Sequence, residues 1–283
     1  MPSTRSGSWT TNLAAKASVL GPSKQSDDFP YWLVLLGGVV IYLGYQVVAD
    51  DLYSQVLGTL SKGIKITVTV TLIGFAIASA LGLGLALMST SRSIVIRQIA
   101  RFYIEVVRGI PIIVLLLYVA FVVAPGFVAL ANWALQPFDA ELIRTRQFPL
   151  LWRATLALAI GYSAFIAEVF RAGLQSVDRG QIEAGHTLGL NRWQRFRYIV
   201  FPQAIRTILP PLGNDFIAMV KDSSLVSVLG VGDITQLGKV TAAGNFRYFE
   251  TYNVVALIYL ALTVTLSLGL RRFERHMRQP GQD

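Results

Sequence analysis

The sequence contains no cysteine, which excludes a disulfide framework and any thiolate-held metal. Histidine is almost as scarce. His186 and His276 lie far apart, each among arginines, so both read as solvated surface residues and no metal centre is expected. Charge is the third shortage. Only 14% of the 283 residues are charged and 53% are hydrophobic, whereas soluble domains carry about 25% charged residues. Most of the chain is therefore expected in lipid. A G-x-x-x-x-G-K-[ST] phosphate loop is missing too, and no nucleophile–base constellation is visible. A chain with these absences has no evident means of hydrolysing ATP or breaking a bond. If it drives transport, the energy comes from another chain or from an ion gradient. The net charge of +9 points to membrane orientation rather than nucleic acid, because the basic residues flank apolar runs.

What is present is a series of such runs. Residues 1–30 are rich in Ser, Thr, Gly and Pro and read as a disordered tail. No cleavage site follows the first apolar run, so it is not read as a signal peptide. Residues 31–49 are uncharged and long enough to span once. Residues 53–65 read as an amphipathic interfacial lead-in, and 66–91 as the second span. There Gly74, Ala78, Gly82 and Ala86 recur every fourth residue, putting four small side chains on one helix face for close packing. The third span is expected from Phe102 to Ala124, opening with a Glu105–Arg108 ion pair at helical spacing. Gly109 and Pro111 predict a kink at its start, and Pro125 its end. Residues 126–149 form a long loop with some interfacial helix. The fourth span runs from Leu150 to Phe170, with Glu168 and Arg171 spaced for an interfacial pair. The fifth runs from Pro202 through Pro210 and Pro211 to Val231. The sixth covers 251–270, and a basic tail ends the chain. With both termini inside, four interior segments hold sixteen of the 25 Lys and Arg residues, which sets that orientation. No internal repeat of the kind common in secondary transporters is visible.

Between the fourth and fifth spans lies a polar, basic stretch, residues 179–204. A short helix is expected from Gln181 to Leu188, closed by Gly189 in the left-handed conformation. A second opens at Asn191, an N-cap with Gln194 three residues on, as in a capping box. Trp193, Phe196, Ile199 and Val200 then share a face. The result is a helix–Gly–helix docking hairpin, on the cytoplasmic side by the charge rule.

The fifth span is the most polar. Lys221, Asp222, Ser223 and Ser224 fall about 24–30 Å of helix beyond Ile205, in the outer half of the bilayer or at its edge. Ionisable residues at such depth mark pathways. Lys221 and Asp222 could instead neutralise each other at a helix break. Asn214 and Asp215 precede them and could face the same cavity.

These residues together resemble a known family. Glu183-Ala184-Gly185, then Gly189, then Ile199, Pro202 and Ala204 are similar to the EAA motif of ABC-importer permeases, with Gly185 standing where the pattern has Ala. The stretches 105–111 (EVVRGIP), 165–173 (FIAEVFRAG), 180–183 (GQIE), Asn214 and 221–225 resemble the polar amino-acid branch. The likeness covers residues 56–272.

The resemblance implies an all-α integral membrane protein. Residues 53–272 would form a five-helix type I importer core, with residues 31–49 as an extra first transmembrane helix and 273–283 as a basic cytoplasmic tail. It implies a permease subunit for a polar or charged amino acid in the bacterial inner membrane. A second permease chain, identical or related, would complete the pore. Two ATP-binding subunits would carry ATP and Mg, and an extracytoplasmic binding protein would deliver substrate. This chain would bind no cofactor or nucleic acid and would not be an enzyme. Glu183, Ala184, Gly185, Gly189, Arg192 and Arg195 would couple to the ATPase, the small residues at 184 and 185 letting the partner approach. Asn214, Asp215, Lys221, Asp222, Ser223 and Ser224 would be the substrate-path candidates. A stand-alone ion-coupled transporter or channel is the alternative, separated by whether the chain purifies with an ATPase.

Overall fold

The computed structural model describes residues 31–138 and 142–277. The expected tail at 1–30 lies outside the described residues, as do residues 278–283 of the basic tail expected at 273–283 and the side chain of His276; residues 273–277 are no tail but the last turn of a long helix. Every described element is helical. The chain divides into two units, residues 1–44 and 45–283. The first contributes most of α1 (Tyr31–Ala49), which carries no charge; all that follows concerns the second.

Helix α2 (Asp51–Ser89) is one unbroken rod of 39 residues. Asp50 starts it as an N-cap, its carboxylate accepting from the Leu52 N–H at 2.8 Å. At 1.5 Å per residue it is about 58 Å long, nearly twice the thickness of a bilayer core. The lead-in expected at 53–65 is therefore not a separate interfacial element. No proline interrupts residues 51–89, so the helix runs through this stretch without a break. Gly74, Ala78, Gly82 and Ala86 are all buried. A Cβ on Gly82 would lie 2.8 Å from Ile166 Cγ2 and 3.0 Å from the Ser163 carbonyl, so the small-residue face lets α2 pack directly on the backbone of α5 (Leu150–Gln175).

Helix α3 (Ile94–Gly109) stops at Ile110 and Pro111, both in extended conformation. Glu105 and Arg108 do not pair. Arg108 instead lies over the Phe165 ring, 5.5 Å from its centroid. Helix α4 (Ile112–Leu135) follows. Pro125 does not end it. A π-turn at Val119–Val123 precedes the proline, with the Ala124 N–H reaching back to the Val119 carbonyl. In that register the missing Pro125 N–H would have paired with Ala120, and the Arg153 guanidinium donates to that carbonyl instead at 3.2 Å.

After α5 come α6 (Arg179–Thr187), α7 (Arg192–Arg195), a second π-turn at Phe196–Val200, and α8 (Phe201–Asp222). The helix expected as the fifth span thus ends at Asp222 and not at Val231. A 3-10 turn, Ser223–Leu229, carries the chain to Gly230. The chain finishes with α9 (Ile234–Asn245) and α10 (Tyr248–Met277). Among the described residues four helices are long and apolar enough to cross a membrane: Asp51–Ser89, Ile112–Leu135, Leu150–Gln175 and Tyr248–Arg275.

Three apolar clusters hold the unit together. The largest joins α2, α4, α5 and the end of α8 around Leu116, Leu158, Ile166 and Met219. A second joins α2, α9 and α10 around Leu60, Ile234 and Val254. The third, Val177, Ala204 and Ile208 with Ile182, Ile199 and Val200 around them, fixes the hairpin to the ends of α5 and α8.

Candidate functional site: the hairpin and the polar helix above it

Asp178 caps α6, its carboxylate accepting from the N–H groups of Gly180 at 2.7 Å and Gln181 at 3.3 Å. The helix closes at Gly189, whose φ of 76° disfavours a side chain. Asn191 and Gln194 then form a reciprocal capping box at 2.9 Å in each direction. The arms are tied by the Gln203 side chain, which donates to the side-chain Oε1 of Gln181 at 2.6 Å and to the Ile199 backbone carbonyl at 3.0 Å.

The two small residues of the hairpin do different things. Ala184 is exposed, beside exposed Glu183 and Arg192. Gly185 is buried, and a Cβ there would lie 2.5 Å from Ile199 Cδ1 and 3.3 Å from Arg195 Cγ. Its smallness serves the packing of the two arms, not the approach of a partner as expected. Arg195 is correspondingly half-buried. The aromatic face also divides. Ile199 and Val200 turn into the third cluster, whereas Trp193 is 68% exposed, with Leu188 at 79% and Tyr198 at 68%. The outer surface of the hairpin is thus apolar with a charged rim.

At its root the hairpin is joined to the long helices α5 and α8. Gly173 of α5 sits directly against Ile208 of α8, leaving no room for a Cβ, and the Ser176 hydroxyl donates to Thr207 at 3.3 Å. Further along the same pair of helices, the Tyr162 hydroxyl donates to Asp222 at 2.8 Å. Asp222 is therefore not paired with Lys221, which is exposed. One residue's difference on a helix turns the two side chains by about 100°, so neighbours face apart. Ser223 is buried and donates to the Val220 carbonyl at 2.7 Å, and Ser224 is half-buried. Asn214 is exposed and donates to the Pro210 carbonyl at 3.1 Å. Asp215 is half-buried, and its Oδ2 is buried with no partner among the described residues. Asn214 and Asp215 sit on α8 a little beyond Pro210 and Pro211, which lack the N–H groups that would pair the carbonyls of Arg206 and Thr207. The Glu168–Arg171 pair is formed.

Sequence reasoning missed three groups. Tyr162 carries no local signal; an aromatic in an apolar span reads as packing. Arg153 is buried and donates to the carbonyls of Phe148 at 2.8 Å, Ala120 and Thr145. Asp233 is also buried, capping α9 through the N–H groups of Gln236 at 2.9 Å and Thr235 at 3.1 Å and accepting from Tyr259 at 3.1 Å. Asp178 and Asp233 both precede Gln by three residues, the spacing already used for Asn191, so that signal was available.

Residues 78–279 match the family described as binding-protein-dependent transport system inner membrane component. The glutamine transport system permease protein GlnP of Escherichia coli (strain K12) is 39% identical over 180 residues, covering 64% of this chain and 75% of the relative. The probable amino-acid permease protein YxeN of Bacillus subtilis (strain 168) is 38% identical over 186 residues, 66% of this chain and 76% of the relative. A crystal structure of an amino acid ABC transporter with histidines superposes with a TM-score of 0.64 at 38% identity, over 77% of this chain and 94% of that one. With an all-helical fold, a rooted hairpin and a match over most of its length, the chain belongs to the binding-protein-dependent transport system inner membrane components.

Proposed function

We propose that the chain is one permease half of an ATP-driven importer that moves a polar or charged amino acid across a bacterial inner membrane. The relatives named above for glutamine and amino-acid transport support the substrate class. In this reading the chain makes six spans, α1 being the extra one, with both termini and the hairpin in the cytoplasm. It pairs with a second permease chain, receives substrate from an extracytoplasmic binding protein and stands on two ATP-binding subunits, which carry ATP and Mg.

One observation carries the mechanism: the hairpin is fixed to α5 and α8 at its root while its outer face is apolar and exposed. A force on Glu183, Ala184, Leu188 and Trp193 moves the ends of both helices together. The same helices hold the Tyr162–Asp222 bond and Asp215, whose unpaired buried oxygen suits the ammonium group of an amino acid. Closing of the ATPase dimer then shifts the permease between two arrangements by contacting the hairpins differently in each. Asn214, Lys221 and Ser224 are at least partly accessible on the same stretch, whereas buried Ser223 supports it from within.

The test is substrate-stimulated ATP hydrolysis and uptake by the assembled complex in proteoliposomes. Glu183→Lys, and separately Gly185→Asp, should abolish coupling of the two. Undiminished uptake in both variants would sink the coupling role.

A further inference from the structure

A crevice of about 420 Å3 lies where the end of α2 meets α3 and α5, lined by Arg101, Glu105, Arg108, Glu168, Arg171 and Gln175. None of the polar residues of α8 lines it. At roughly 30 Å3 per water molecule it holds about a dozen waters, ample for an amino acid. Its α5 residues, Glu168, Arg171 and Gln175, belong to the end of α5 from which the hairpin departs, so the crevice lies on the hairpin side of the unit.

Part of its charge is already matched. Arg171 binds Glu168 and donates to Gln175 at 2.8 Å. The charges on α3 are not. Among the described residues Arg101 and Glu105 form no ion pair, and Arg108 contacts only the face of Phe165, which leaves its N–H groups without an anion. Arg101, Glu105 and Arg108 are spaced four and three residues apart, so they share one face of α3 with a carboxylate between two guanidiniums. With Glu168 and Arg171 neutralising each other, a phosphate would still meet the repulsion of Glu105, and a simple cation that of Arg101 and Arg108. An α-amino-acid zwitterion offers one charge of each sign a single carbon apart.

We infer that this crevice is a second amino-acid site on the release side, distinct from the α8 path. Arg108 and Arg101 receive the α-carboxylate, and Glu105 receives the α-ammonium. The side chain is left toward the open mouth, so the site reads the amino-acid backbone and not its identity. This rests on the importer reading above.

The experiment uses the full complex in nanodiscs without its binding protein, with equilibrium binding of labelled glutamine, arginine and glutamate. All three should bind with similar affinity, and their α-amide and N-acetyl derivatives should each bind about tenfold more weakly or worse, the loss of one charged contact. The double variant Glu105→Gln with Arg108→Gln should lose binding to the same degree, while Glu105→Asp with Arg108→Lys should retain most of it. Co-elution of each variant with the ATPase subunits controls for folding. No binding by the wild-type complex overturns the site. So does equal competition by inorganic phosphate, or binding that is indifferent to Glu105 and Arg108 but lost in Asp215→Asn. Failure of wild-type uptake in the presence of the binding protein would count against the importer reading instead.

Discussion

At the scale of single residues, Arg153 shows how one side chain compensates for another. Pro125 leaves the Ala120 carbonyl without a donor, and a bare carbonyl in an apolar interior is costly. The Arg153 guanidinium supplies the donor and at the same time holds the carbonyls of Phe148 and Thr145 in the loop before α5. Arg153→Leu should destabilise the unit by about 1–3 kcal/mol for an unsatisfied buried acceptor, seen as a lower melting temperature of the solubilised complex. An unchanged melting temperature would show that water or lipid headgroups reach these carbonyls. Gly185 makes the second case. The atom nearest its missing Cβ is the tip of the flexible Ile199 side chain, so Gly185→Ala should be tolerated with little change in coupled ATP hydrolysis. Gly185→Leu should part the two arms and reduce coupling about tenfold or more, the cost of overpacking by ~1–3 kcal/mol.

At the scale of elements, both π-turns share a design. Each is followed by one residue and then a proline: Val119–Val123 before Pro125, and Phe196–Val200 before Pro202. The wider turn shifts the hydrogen-bond register at the point where a donor is missing, so a helix passes a proline that would otherwise stop it. This is why α4 continues past Pro125 to Leu135. Helix contacts at glycine are less forgiving. A Cβ on Gly63 of α2 would lie 2.6 Å from the Ile234 nitrogen and 2.7 Å from the Asp233 carbonyl carbon. Both atoms are backbone and belong to the turn that caps α9, so neither can rotate away. Gly63→Val should therefore destabilise the unit by at least ~1–3 kcal/mol. Gly58→Val, facing open space one turn earlier, is the control, and thermal unfolding of the pair side by side decides the matter.

At the scale of the whole molecule, the hairpin, its root and the bonded pair above it form one chain of contacts. The root packs through Gly173 and Ile208, and the Tyr162–Asp222 bond joins the same two helices farther from the hairpin. If that bond holds α5 and α8 in one arrangement, Tyr162→Phe removes it while keeping the ring. The expected outcome is a higher rate of ATP hydrolysis without substrate and a smaller stimulation by loaded binding protein. Loss of one hydrogen bond to a charged group is worth ~1.5–3 kcal/mol, enough to shift a two-state balance about tenfold or more. An unaltered ratio of stimulated to unstimulated hydrolysis would show that the bond plays no part in switching.

The all-helical class, the helix–Gly–helix hairpin and the packing face of α2 were legible in the sequence because each rests on local chemistry. Apolar length marks a span, a Gly after a short helix marks its end, and four-residue spacing of small side chains marks one face. The capping box at Asn191 needed nothing beyond four residues of sequence. Tertiary structure decided where a polar side chain finds its partner. Asp222 turns to Tyr162 and away from the adjacent Lys221, and Arg108 to Phe165 and away from Glu105, because neighbours along a helix point in different directions while residues 60 apart can meet. Tertiary structure also decided that Gly185 faces inward and that Pro125 is passed. Those outcomes depend on Ile199 and Arg153, which the sequence places near neither in a way that reveals the contact.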